Sequence, residues 1–188
     1  MSDHAPSVVY RDRVRAEWVD YNGHLRDAFY MLIYSHATDA LLDAIGLDHA
    51  RREARGRSMF TVEAHVNYLR EVREGTPLRV EVRVLEHDDK RVRVYLEMFV
   101  EAGEERAKGE DDKAAQPVCA SEQLLLHVDR SGPRAVPFDA DVLARVAALR
   151  EESAGQMGNV ARHAGRSISL APLRQACGWS ATTVEPGG

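Results

Sequence analysis

The hydrophobic period of this chain switches from helical to strand spacing near residue 57, and that change limits what it can fold into. From about Asp27 to Ile45 the apolar positions recur at three- and four-residue spacing: Met31, Tyr34 or Ser35, Thr38, Leu41 or Leu42, Ile45. That is the repeat of one helix face, over roughly five turns. Gly46 stands where a helix end takes a left-handed residue, and Leu47 supplies the apolar partner beyond it. After a basic connection, Arg51 to Arg57, the period becomes two. Phe60, Val62, Ala64, Val66 and Tyr68 alternate with Met59, Thr61, Glu63, His65 and Asn67. The runs 78–84, 92–100 and 118–128 alternate in the same way, and residues 8–15 read as an earlier strand. Gly75-Thr76-Pro77 and His87 to Lys90 are turns, and the charged stretch 103–116 reads as a solvated hairpin loop. One long helix can cover only one face of such a sheet. The simplest packing is α+β, a curved antiparallel sheet wrapped around the helix. Its open edge then calls for a partner strand, which a homodimer or homotetramer supplies.

The length of 188 residues fits one domain, taken as 1–152, with an irregular tail over 153–188. Asp139 caps a short helix at the end of the domain, containing Val142, Leu143, Val146 and Leu149. A net charge of -5 argues against nucleic acid as the partner. Cys119 and Cys177 make neither a disulfide framework nor a Cys-x-x-Cys zinc site. No apolar run is long enough to span a bilayer and the opening residues do not resemble a signal peptide, so a cytoplasmic protein without membrane partners is expected. The sequence lacks Gly-x-Ser-x-Gly, a P-loop and Gly-x-Gly-x-x-Gly, which disfavours a serine hydrolase, an NTPase and a dinucleotide enzyme.

The chemistry concentrates in Trp18-Val19-Asp20-Tyr21-Asn22-Gly23-His24-Leu25, directly before the helix. A carboxylate, an amide and an imidazole alternate there. Asp20 can act as base or nucleophile, and Asn22 and His24 can orient it or a water. Amides of the helix start can face an oxyanion, and Gly23 lets a ligand approach the backbone. Taken singly, Asp20, Asn22 and Gly23 are also ordinary turn residues. Glu63 is a second carboxylate, either solvated on its strand or turned towards a partner subunit. The aromatics Trp18, Tyr21, Tyr30, Tyr34 and Tyr68 surround the motif, as packing residues or as faces for a cation. Neither His24 nor Glu63 has tight ligand spacing, so no metal is expected.

The run from Asp20 to Leu25, followed by Tyr30, resembles the Asp-x-Asn-x-His motif of plant acyl-ACP thioesterases. It also resembles the loop before the central helix in bacterial hotdog thioesterases of the 4-hydroxybenzoyl-CoA type. The order of elements agrees over about residues 8–130. The resemblance implies a hotdog fold, a cofactor-free acyl-CoA thioesterase, and a site containing Asp20, Asn22 and His24. The plant enzymes carry two hotdog units where this chain carries one, which implies a site shared between subunits. In the bacterial group the base shifts by a residue, which leaves open whether Asp20 or Glu63 is base or nucleophile. The stretch Glu63 to Glu71, with Ser121-Glu122-Gln123, resembles the thioesterases of carnitine breakdown, which cleave betainyl-CoA to glycine betaine and CoA. Two rivals remain: a hotdog hydratase or dehydratase, and a non-catalytic acyl-CoA-binding module.

Overall fold

A computed structural model of the chain describes residues 8–101, 116–132, 134–154 and 163–165. Five strands and a short sixth build one sheet: β1 (Val8–Arg13), β2 (Arg57–Tyr68), β3 (Pro77–His87), β4 (Arg91–Val100), β5 (Cys119–Asp129) and β6 (Arg134–Ala135). The order across the sheet is β1-β3-β4-β5-β2, with β6 on β5, and every pairing is antiparallel. The long helix α1 (Asp27–Ala44) lies in the concave face. This is the wrapped-sheet arrangement expected from the change of period. Most of the expected hairpin loop, 102–115, lies outside the described residues, as does most of the tail beyond 154.

The buried stripe of α1 is Tyr30, Ile33, Tyr34, Ala37, Leu41 and Leu42. It meets Leu78, Val80, Val94, Leu96 and Leu125 of the sheet in one core. The helix ends as the sequence suggests. Gly46 takes φ +84°, its N–H donates to Asp43 O at 3.1 Å, and Leu47 N donates to Leu42 O at 2.8 Å. That pair of bonds satisfies carbonyls the last turn would leave open. The basic connection is partly helical, as α2 (His49–Arg55). Asp48 caps it by accepting from Arg51 N at 2.9 Å, and Gly56 closes it at φ +62°. A last helix, α3 (Ala140–Ala154), buries Val142 and Val146. Its Ser153 hydroxyl accepts from Val84 N at 3.1 Å, past the end of β1's pairing with β3.

Two features of the sheet depart from simple alternation. The register of β2 against β5 slips at Val62: Thr61 opposes Leu125, but Glu63 opposes Leu124. One extra residue switches the faces. Downstream of it Ala64 and Val66 point towards α1, while Glu63 and His65 point to the outer face. That outer face is also not a plain solvated surface. Glu81, Arg83, Tyr95 and Glu97 are buried on it, and Ala164 packs there against Leu85, Tyr95 and Ala120. Arg83 donates to Glu81 at 2.6 Å and to Glu97 at 3.0 Å.

β2 is an edge strand, and among the described residues no strand pairs with its outer side. Phe60, Val62, Tyr68 and Leu69 are exposed along and just beyond it.

Candidate active site

The motif folds as a tight hairpin in front of α1. Val19 and Leu25 form an antiparallel bridge, and His24 bridges to Arg73. Asp20 N donates to His24 O at 2.9 Å, and Gly23 N donates to Asp20 O at 3.0 Å. Gly23 sits at φ +75°, which a side chain would strain, and the space where a Cβ would stand is open. The Asp20 carboxylate organises the turn. Its Oδ1 accepts from Asn22 N at 2.8 Å and His24 N at 3.1 Å, and its Oδ2 accepts from Asn22 Nδ2 at 3.3 Å. These donors, the His24 amide foremost, hold the Asp20 carboxyl below its ordinary range. The group is therefore ionised and weakly basic.

Leu25 N donates to Val72 O at 2.8 Å, which ties the hairpin to the segment after β2. Here the chain opens a groove of about 290 Å³, lined by Leu25, Asp27, Tyr30, Tyr68, Arg70 and Glu71 among others. Tyr30 and Tyr68 meet edge to face, with ring centroids 5.3 Å apart and planes at 78°. The Tyr68 hydroxyl donates to Asp27 O at 3.3 Å, and that of Tyr30 to Arg70 O at 3.4 Å. Burial first, then Cys119 and Glu71 nearby, push the Tyr30 hydroxyl up to about 12, so it stays protonated. The Glu71 carboxylate comes within 3.6 Å of His24 Nδ1, which joins the motif imidazole to the groove. No side chain caps α1, because Arg26 stands at the cap position. Asp27 Oδ1 takes up the Ala28 amide at 2.8 Å.

The expected site residues thus separate into groups. Asp20, Asn22, Gly23 and His24 share the hairpin, and Tyr30 and Tyr68 share the groove beside it. Tyr21 stands at the hairpin tip, 95% exposed. Trp18 is buried, stacked on Phe29 at 5.8 Å, and the Arg15 guanidinium sits 4.5 Å from its ring centre. Tyr34 is wholly buried in the core. Glu63 lies on the far side of the sheet, in an outer-face cavity of about 600 Å³ with His65, His87 and Arg93. Within one chain the sheet separates it from the groove. Glu71, which no motif marks in the sequence, also lines the groove. The signal for it was the break in alternation after Tyr68, where the strand ends and the chain turns back towards the motif. Among the described residues, no group of three or more His, Cys, Asp or Glu is placed to hold a metal ion, and no helix is long and apolar enough to cross a membrane.

Residues 14–146 match the family model described as the thioesterase-like superfamily. A betainyl-CoA thioesterase of Pseudomonas aeruginosa is 46% identical over 167 residues, covering 89% of this chain and 97% of that protein. An L-carnitine dehydrogenase/betainyl-CoA thioesterase of Agrobacterium fabrum is 38% identical over 170 residues, covering 90% of this chain but 32% of that longer protein. A solved structure from Pseudomonas putida KT2440, assigned as a thioesterase, superposes with a TM-score of 0.69 at 41% identity, covering 90% of this chain and all of that one. The family model spans the motif hairpin, α1 and all six strands but β1, and the related structure repeats the sheet wrapped on its helix. The chain belongs to the thioesterase-like superfamily and is a hotdog-fold thioesterase.

Proposed function

We propose that this thioesterase hydrolyses betainyl-CoA to glycine betaine and CoA, in the cytoplasm, as a homodimer or a pair of dimers. The observation that carries the substrate is the Tyr30–Tyr68 corner, with carboxylates of Asp27 and Glu71 in the same groove. A trimethylammonium group offers no N–H, so it is held by aromatic faces and negative charge. The Pseudomonas aeruginosa relative, named for that substrate, supports the same reading.

In the mechanism we favour, Asp20 attacks the thioester carbonyl. A carboxylate held ionised by amide donors is a weak base, so direct attack asks less of it than taking a proton from water. The amides of Gly23 to Arg26 and of Ala28 are taken up within the chain, which leaves the Asp27 amide, the first of α1, to meet the tetrahedral oxyanion. The C–S bond breaks, CoA leaves as thiolate and takes a proton, and water hydrolyses the mixed anhydride to free the acid and Asp20. Asn22 holds the carboxylate and His24 positions the acyl group. A hydratase needs a base matched to its working pH, and Asp20 is held away from that range.

Tyr68→Leu keeps apolar bulk at a half-exposed position and removes one π face. The expected loss in kcat/KM is about fivefold greater, or about 1 kcal/mol, for betainyl-CoA than for its neutral carbon isostere 3,3-dimethylbutyryl-CoA. Equal losses on the two substrates would make Tyr68 a packing residue only.

The exposed outer edge of β2, with Phe60 and Val62 on it, supports assembly through that strand. Light scattering at micromolar concentration should give at least a dimer. A fully active monomer would contradict it.

A further inference from the structure

We infer that Glu71 is the specificity-determining carboxylate for a cationic acyl group, and that it reads the charge of the substrate separately from its contact with His24. The inference rests on the betainyl reading above.

Three features distinguish Glu71 from the other charged groups near the groove. Its carboxylate is 78% exposed and lines the cavity, so its charge is available to a ligand. Asp27 lines the same cavity, but its Oδ1 is bonded to the Ala28 amide in the first turn of α1, where that charge stabilises the helix start. Arg70, the cation of the groove wall, donates from Nη2 to Gln116 O, which directs its guanidinium to the neighbouring segment. The groove therefore presents two π faces, a carbonyl-bound arginine and one exposed carboxylate that approaches His24 without a hydrogen bond. A small quaternary cation fits that set, whereas an anionic acyl group would meet Glu71 unfavourably. The 3.6 Å approach to His24 Nδ1 places this carboxylate beside the motif that carries the reacting carbonyl. In a betainyl group the ammonium lies one methylene from that carbonyl, so the charge sensor has to stand this close to the reacting atoms.

Glu71→Gln separates the two roles. The amide keeps the size and shape of the carboxylate beside His24, so the imidazole keeps its neighbour, but the charge is gone. Opposite charges near a protein surface at such separations justify an expected drop of roughly tenfold in kcat/KM for betainyl-CoA. The loss on the neutral 3,3-dimethylbutyryl-CoA should be clearly smaller. The loss should fall mainly on KM, because the ammonium is bound alike before and during reaction. Glu71→Lys should reverse the preference between the two substrates. Asp27→Asn should change the ratio less than Glu71→Gln does. An equal fall in kcat on both substrates would overturn the inference and leave Glu71 as a positioning residue for His24. Unchanged kinetics on both would overturn it as well. A parent enzyme that prefers the neutral isostere would instead remove the betainyl reading, and this inference with it. Unfolding midpoints of the variants, measured alongside, separate loss of charge from loss of fold.

Discussion

Asp20→Asn should fold as the parent does and lose about 10²–10⁴-fold in kcat. The asparagine oxygen can still accept the Asn22 and His24 amides that shape the hairpin, so the turn survives. What disappears is the ionised oxygen that the proposed mechanism sends to the thioester. The same amides set the pH behaviour. They depress the Asp20 carboxyl below its ordinary 3.8, so the active, ionised form is present above that value and is lost only as pH falls through the lower folded one. Protonation of Asp20 therefore gives no acid limb in kcat within the working pH range. Turnover within a few-fold of the parent would remove Asp20 from the chemistry.

Arg83→Met should be the most damaging single change on the outer face. Arg83 lies between Glu81 and Glu97, at 2.6 and 3.0 Å, and all three are less than 10% exposed. Glu81 keeps Arg79 at 2.9 Å and Glu97 keeps the Tyr95 hydroxyl at 3.5 Å, but the buried Glu97 carboxylate loses the guanidinium of Arg83. Removing one member of a buried ion pair costs about 3–5 kcal/mol, far more than a surface pair contributes. For a domain of this size that lowers the midpoint of thermal unfolding by roughly 10 °C. Calorimetry of the two proteins checks it, and a shift of only a degree or two would mean that this face is wet in solution. Activity per folded molecule should change little, since the network lies across the sheet from the groove.

Much of this architecture is legible in the residues themselves. Gly46-Leu47 marks the end of α1 because few other pairs can close a helix that way. Asp20, Asn22 and Gly23 mark the hairpin because their side chains and backbones suit it. The rest depends on contacts that no short window carries. Val62 is an apolar residue in an apolar row, so nothing local shows that it is the extra residue, upstream of which Met59 and not Phe60 enters the core. Arg79, Glu81 and Arg83 alternate with apolar residues in the sequence, yet Glu81 and Arg83 are buried in the folded chain. Tyr30 and Tyr34 sit one turn apart on the same helix. One reaches the groove and the other the core, and only the position of Tyr68 on a distant strand distinguishes them.

On the proposed function, the chain turns over a cationic acyl-CoA thioester at a site built on the Asp20 hairpin and the Tyr30–Tyr68 groove. Release of free CoA, followed with a thiol reagent, tests it most directly on betainyl-CoA and 3,3-dimethylbutyryl-CoA side by side. The expected result is catalytic thiol release from both, with kcat/KM higher for betainyl-CoA. Tight binding with no thiol released would make the chain a binding module, and a preference for the neutral substrate would contradict the cation site.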